Sequence, residues 1–210
     1  MIELDRTKIT INLKALLSNL KYASALAPGK KIMSVIKADG YGHGAVKVAK
    51  TLSSSNSFAV ARLEEAEDLR SAGLRSPVCV LEGVSSEQDL KRARELELQL
   101  IVHSPYQIYL YKKHGSSLPI WLKIDSGMGR LGFSIPQFSE VLKSLKGLNL
   151  IGIISHLSHA DDISSNRTEE QLQILSEEIL PVAKKEKLDF NLANSAGLLG
   201  WESSLSDWIR

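Results

Sequence analysis

Short apolar runs alternate with helical stretches seven times along this chain, and that alternation restricts the fold more than any other feature. The runs are the one ending at Ser34-Val35-Ile36, then Phe58–Ala61, Val78–Leu81, Leu98–Val102, Ile120–Ile124, Leu150–Ile154 and Phe190–Ala193. They are brief and apolar at nearly every position, as strands buried on both faces are, so they predict a parallel sheet covered by crossover helices. Between them lie helical patterns. Asn12–Ala27 sets Leu13, Leu16, Leu17, Leu20 and Ala23 at helical spacing and stops at Pro28-Gly29. Gly44–Leu52 follows, then Leu63–Ala72, acidic early and closed by Gly73. Ser86 caps Glu87–Leu96 with Asp89 at the capping-box position, and Ser104-Pro105 opens a helix that Gly115 closes. The last two are Phe138–Leu145 and Thr168–Lys187, the latter kinked or split at Pro181. No G-x-G-x-x-G follows the first strand, which argues against a dinucleotide-binding open sheet. A closed (β/α)8 TIM-type barrel fits best. Ser206-Asp207-Trp208-Ile209-Arg210 reads as the start of an eighth strand. The barrel is therefore expected to be incomplete there, with its first and seventh strands as unpaired edges and poor stability or association as the result.

Barrels of this type work at the C-terminal ends of their strands. The first such end carries Lys37, followed by Gly40, Tyr41, Gly42, His43 and Gly44. Burial disfavours the ammonium form of a lysine, and a neutral amine adds to a carbonyl to form a Schiff base. The Tyr41 hydroxyl is placed to meet a phosphate. The same residues also suit a surface lysine before a Gly-rich turn. The fifth end reads Lys123-Ile124-Asp125-Ser126-Gly127-Met128-Gly129-Arg130-Leu131-Gly132, compatible with a plain loop braced by an Asp125–Arg130 ion pair. The sixth gives Ser155-His156 and then Ala160-Asp161; a lone strand-end histidine is more often structural than catalytic. The seventh gives Asn194-Ser195-Ala196-Gly197, suited to a phosphate or to an Asn-Ser turn. Arg210 stands in the eighth.

The 210 residues are 43% hydrophobic and 24% charged, with a net charge of +2 and the two signs mixed, so they suit a single domain over 1–210. Without a basic patch interleaved with aromatics, nucleic acid is not an expected partner. Cys79 is the sole cysteine; it reads as a small buried hydrophobe and fits a reducing cytoplasmic setting. Charges interrupt Met1-Ile2-Glu3-Leu4-Asp5-Arg6 at once, so no signal-peptide core and no membrane association are expected. No metal is assigned.

Taken together, the strand-end runs resemble the motifs of the alanine racemases. Val35-Ile36-Lys37-Ala38-Asp39-Gly40-Tyr41-Gly42-His43-Gly44 is similar to their V-x-K-A-N-A-Y-G-H-G run, with Asp39 and Gly40 departing from its commonest form. The fifth-strand run is similar to K-x-D-T-G-M-G-R-L-G with Ser126 for Thr, and Ser155-His156 to T-H-x-x-x-A-D. Asn194-Ser195-Ala196 matches the family's N-S-A. The resemblance implies a pyridoxal 5'-phosphate enzyme that interconverts L- and D-alanine, supplying D-alanine for peptidoglycan. It implies Lys37 as the internal aldimine and one of two bases, and Tyr41, Asn194 and Ser195 toward the phosphate. His156 would pack beside the cofactor ring, and His43 would support its loop. Arg210 would donate to the pyridine nitrogen. Met128 and Arg130 would reach the substrate, and Lys123 matches a lysine carbamylated in some members. Family members continue into a β-rich domain, whose tyrosine supplies the second base to the partner of a homodimer. The chain is thus expected to stop short of that domain and, alone, to be inactive or nearly so. A non-enzymatic single-barrel protein of pyridoxal-phosphate homeostasis matches the length better and the Y-G-H-G and G-M-G-R-L-G wording worse. Decarboxylases of basic amino acids share the barrel but carry a different Gly-rich phosphate loop.

Overall fold

The computed structural model describes residues 9–114 and 117–210. The opening run Met1–Arg6 and the helix stop expected at Gly115 lie outside the described residues. Among the described residues, nine strands form one parallel sheet: β1 Lys31–Val35, β2 Ser57–Val60, β3 Val78–Val80, β4 Gln99–Val102, β5 Ile120–Asp125, β6 Phe133–Ser134, β7 Leu150–Ile154, β8 Asp189–Asn191 and β9 Trp208–Ile209. Eight of them close a ring in the order β1-β2-β3-β4-β5-β7-β8-β9, with β6 paired outside it along the end of β5. This is the expected barrel. The eighth strand is only two residues long, yet Trp208 is in register with Lys31 on one side and Asn191 on the other. The first and seventh barrel strands are therefore not left as unpaired edges, because a two-residue strand is enough to bridge them. Lys31 N–H donates to the Asp207 carbonyl at 3.0 Å and Arg210 N–H to the Ala193 carbonyl at 2.9 Å, extending the ladder past both ends of β9.

Alternation along the strands sends one set of side chains into the barrel and the other toward the helices. The inner set is Met33, Ala59, Cys79, Ile101, Trp121, Ile154 and Trp208. Trp121 and Trp208 meet edge to face at 5.7 Å, filling the barrel below its C-terminal mouth. Their indole N–H groups are satisfied by Gln99 Oε1 at 3.1 Å and Asp189 Oδ2 at 2.7 Å. Gly152 faces Trp121 across the β5–β7 register, and a Cβ there would collide with the indole ring. Cys79 is fully buried in this layer, and burial pushes its thiol up to about 12, so it packs as a small hydrophobe. The larger outer core lies between sheet and helices, with Phe58, Leu90, Leu100, Leu122 and Phe190 buried in it.

The helices follow the expected pattern. Asn12 caps Leu13–Leu26 through Ala15 N–H at 3.1 Å, and Ser86 caps Glu87–Glu95 through Asp89 N–H at 3.0 Å. The stretch expected to kink at Pro181 runs as Arg167–Ile174, a π-helical turn over Leu175–Ile179, and Leu180–Lys185. The wide turn precedes Pro181 because proline lacks a donor and clashes with the carbonyl four residues back. Among the elements additional to those expected, Ser195–Gly200 is a short helix, Lys37–Gly42 winds into a tight turn, and β6 adds a two-residue strand beside β5. Among the described residues no helix is long and apolar enough to cross a membrane.

Candidate active site

The C-terminal strand ends converge on a cavity of about 590 Å³. Lys37, Tyr41, Lys123, Arg130, His156, Asn194, Ser195 and Arg210 all line it, although they are scattered over 174 positions of sequence (210 less 36). Met128 does not line it; its N–H is turned to Asp125 instead. On the helix side the cavity reaches Leu16 and Leu20.

Lys37 leaves β1 half-buried, and the four residues after it are left-handed. Ala38, Asp39, Gly40 and Tyr41 have φ of 52°, 53°, 64° and 55°. Only Gly40 is free of the Cβ penalty, and it needs that freedom twice over: a Cβ there would lie 3.3 Å from the Ala45 backbone. Asp39 Oδ1 accepts from Ala45 N–H at 2.7 Å, and His43 Nδ1 contacts the Gly40 and Tyr41 carbonyls at 2.9 and 3.0 Å. His43 thus braces the loop. Tyr41 is 58% exposed at the cavity rim.

Arg210 is the most tightly held of the site residues. Its Nη1 donates to Asn191 Oδ1 at 2.5 Å, and its Nη2 donates to the Ser155 carbonyl and to His156 Nδ1, the latter at 2.8 Å. Its Nε makes no hydrogen bond to the described residues. Burial, opposed by Cys79 and reinforced by Arg130, pulls the guanidinium down to about 10, so it is charged at neutral pH. His156 is the reverse. Burial first, then the charges of Arg210, Lys123, Arg130 and Lys37, lower it to about 3. The imidazole is neutral, and since Nδ1 accepts from Arg210 the proton sits on Nε2.

Asp125 does not pair with Arg130. Its Oδ1 accepts from Gly127, Met128 and Gly129 N–H at 2.9, 2.8 and 3.1 Å, and Oδ2 from Gly129 at 2.9 Å. Burial works to raise its pKa, but these N–H groups and Lys123 outweigh it and hold the carboxyl below its ordinary range. Arg130 is thereby left exposed at the mouth, without an ion-pair partner among the described residues. Deeper in, burial and then Arg210 lower Lys123 to about 7, against the pull of Asp125. Glu82 is the one carboxylate among the described lining residues, and it faces Arg62 at 3.7 Å.

Three polar residues with contacts around the site are not legible from motifs. Asn191 carries Arg210. Glu65 accepts from Ala38, Ala61 and Arg62 N–H, the last two at 2.6 and 3.0 Å. Gln171, buried on an outer helix, donates to Ser126 Oγ at 2.8 Å and the His156 carbonyl at 3.0 Å, and accepts from Ser158 N–H and Oγ at 2.9 Å each. Ser126 in turn meets Ser155 Oγ at 2.9 Å, which donates to the Ile124 carbonyl at 2.9 Å. Asn194 is occupied as a helix cap, accepting from Gly197 N–H at 2.8 Å, and so sets where Ser195 stands.

Four basic side chains around one concave site with a single lining carboxylate among the described residues suit an anionic ligand that carries an electrophile for an amine. Pyridoxal phosphate has that chemistry: an aldehyde, a phosphate, and a ring nitrogen that accepts from a donor such as Arg210 Nε.

The sequence profile described as alanine racemase, N-terminal domain, matches residues 11–210. The alanine racemase of Coxiella burnetii (strain CbuG_Q212) is 41% identical over 213 residues, covering 99% of this chain and 57% of its own length. That of Halorhodospira halophila is 40% identical, with coverage of 97% and 57%. Among solved structures, alanine racemase from Acinetobacter baumannii superposes with a TM-score of 0.86 at 32% identity, covering 95% of this chain and 57% of that one. The Bacillus anthracis enzyme with bound L-Ala-P gives 0.84 at 30% identity, covering 94% and 54%. The chain thus spans 57% of the length of these curated relatives.

Proposed function

The chain belongs to the alanine racemase N-terminal domain family, and from that premise we propose that it is the cofactor-bearing barrel of a pyridoxal-phosphate-dependent racemase acting on alanine in the cytoplasm, in a protein that works as a homodimer and supplies D-alanine for peptidoglycan. The observation that carries the reading is the meeting of Lys37, Lys123, Arg130 and Arg210 in one cavity whose single lining carboxylate, among the described residues, is turned to Arg62.

When bound, pyridoxal phosphate supplies an aldehyde that captures amino groups and a ring that withdraws electrons from the carbon beside them. Lys37 is the amine that holds the cofactor. Once released by incoming alanine, its Nζ takes and returns the Cα proton on one face. The Tyr41 and Ser195 hydroxyls hold the phosphate, with Asn194 fixing the turn that presents Ser195. Arg210 can only donate hydrogen bonds. A cofactor ring nitrogen facing Arg210 would therefore stay without a proton, which would restrain electron withdrawal and disfavour transamination. The Asn191, Ser155 and His156 contacts hold the guanidinium in place, and His156 would stand near the cofactor as a neutral neighbour. Arg130 receives the substrate carboxylate, and Met128 serves as a contact at the outer edge. Lys123, neutral in good part near pH 7, adds carbon dioxide and as a carbamate orients Arg130. The second base, a tyrosine, comes from the other subunit.

The test is borohydride reduction of the chain mixed with pyridoxal phosphate, followed by peptide mapping. The label is expected on Lys37; a label confined to other lysines overturns the reading. Release of carbon dioxide from lysine, ornithine or diaminopimelate would instead mark a decarboxylase.

A further inference from the structure

Lys37 is followed by a backbone conformation that L-residues resist. Three Cβ-bearing residues, Ala38, Asp39 and Tyr41, are left-handed in one run with Gly40, a conformation in which the Cβ crowds the following carbonyl. A run of this kind persists only where its surroundings hold it. One end is held within the loop, by Asp39 Oδ1 on Ala45 N–H and by Gly44 N–H on the Asp39 carbonyl at 2.8 Å. At the other end, among the described residues, Ile36 N–H just before Lys37 donates to the Ala59 carbonyl at 2.8 Å, and Ala38 N–H just after it is held by a side chain of a distant element. Glu65 Oε1 accepts from Ala38 N–H across 27 positions of sequence.

We infer that Glu65 is a positioning residue for Lys37, its carboxylate holding the left-handed turn that aims the lysine amine into the cavity. The inference rests on the function proposed above. An ordinary helix cap is not a sufficient account of Glu65. A cap at the start of Leu63–Ser71 needs one oxygen, and Oε2 provides it by accepting from Ala61 and Arg62 N–H. Oε1 points away from that helix to the adjoining strand end. The carboxylate therefore bolts the end of β2 to the peptide just after Lys37, and β1 and β2 are neighbours in the barrel wall. It is also the only side-chain type that fits. Three N–H donors converge on two oxygens, and a carboxamide would turn an NH2 group toward one of them.

The readout is the rate at which Lys37 is trapped by pyridoxal phosphate and borohydride, quantified by peptide mapping. Lys37 Nζ adds to the aldehyde carbon, water leaves, and hydride from borohydride reduces the resulting C=N bond. Glu65→Gln removes the Ala38 contact or sets donor against donor. Glu65→Asp keeps a carboxylate near its own helix but withdraws it from Ala38, and serves if the first variant does not fold. Trapping at Lys37 is expected to slow at least about tenfold in either, while surface lysines react as before. Adding Ala38→Gly, which removes a left-handed penalty, is expected to restore much of the rate. A helix cap alone would lower the melting temperature without changing Lys37 trapping below it, and Ala38→Gly would rescue nothing. Equal trapping at Lys37 in the unchanged chain and in the folded Glu65 variant overturns this inference alone. No trapping at Lys37 in the unchanged chain overturns the proposed function and this inference with it.

Discussion

Lys123 turns the character of the cavity into something measurable. Its folded value of about 7 lies below the ordinary 10.5, because burial and Arg210 disfavour the ammonium form. Between those limits the unfolded chain holds a proton that the folded chain lacks. The contribution to stability is thus complete above about 10.5 and is lost as pH falls through about 7. His156 behaves alike on the acid side: its contribution is complete above the ordinary 6.5 and is lost as pH falls toward about 3. Urea unfolding should therefore find the unchanged chain gaining stability relative to Lys123→Met between pH 7 and 9.5, and a constant difference would refute the burial argument. A neutral amine also adds carbon dioxide. With 13C-bicarbonate above pH 7, NMR should detect a carbamate that is missing from Lys123→Met. Residues such as Lys123 and Arg210 were legible because they stand at strand ends within recognisable runs. Asn191 and Glu65 were not. Their roles depend on which distant backbone or guanidinium they meet, and neither spacing nor polarity encodes that.

Among the elements, Arg167–Ile174 does more than cover the sheet. Its Gln171 uses every polar atom of a buried amide to tie the loop after β5 to the loop after β7. Gln171→Ala strands those donors and acceptors, at a cost of about 1–3 kcal/mol. Urea unfolding should register that loss, and faster amide exchange at Ser158 should accompany it. Unchanged exchange there would mean that the clamp does not act. Nothing in the pattern of this helix marks Gln171, because a buried glutamine on an outer helix looks like any polar surface position. The barrel strands and most helices, by contrast, were legible to within a residue or two, since burial on both faces writes itself into uninterrupted apolar runs; the short β6 was not. The turn after Lys37 was legible only as glycine-rich. Its left-handed course through Ala38, Asp39 and Tyr41 contradicts local preference, so it is a product of tertiary contacts rather than of composition.

At the scale of the molecule, β9 closes the ring with two residues, and that closure is what brings Arg210 against Asn191 and His156. The Arg210 side of the cavity is therefore assembled within one chain. Racemisation asks for more than a cofactor site: a proton must leave one face of Cα and another must arrive at the opposite face. Among the described cavity residues, His156 is neutral with Nδ1 engaged by Arg210, and Glu82 faces Arg62. Under the proposed function Lys123 is a carbamate and Lys37 serves one face only. A chain with one working base should still remove and return the proton on its own face. In deuterium oxide with pyridoxal phosphate, the chain is thus expected to exchange the Cα hydrogen of one enantiomer of alanine while leaving its configuration intact. The other enantiomer should exchange far more slowly, and Lys37→Ala should abolish the difference. Proton NMR follows the loss of the Cα signal, and chiral chromatography follows configuration in the same samples. Racemisation that keeps pace with exchange would place both bases within these 210 residues and refute the two-subunit division of labour. Exchange without racemisation would mean that these residues carry one half of the proton transfer only.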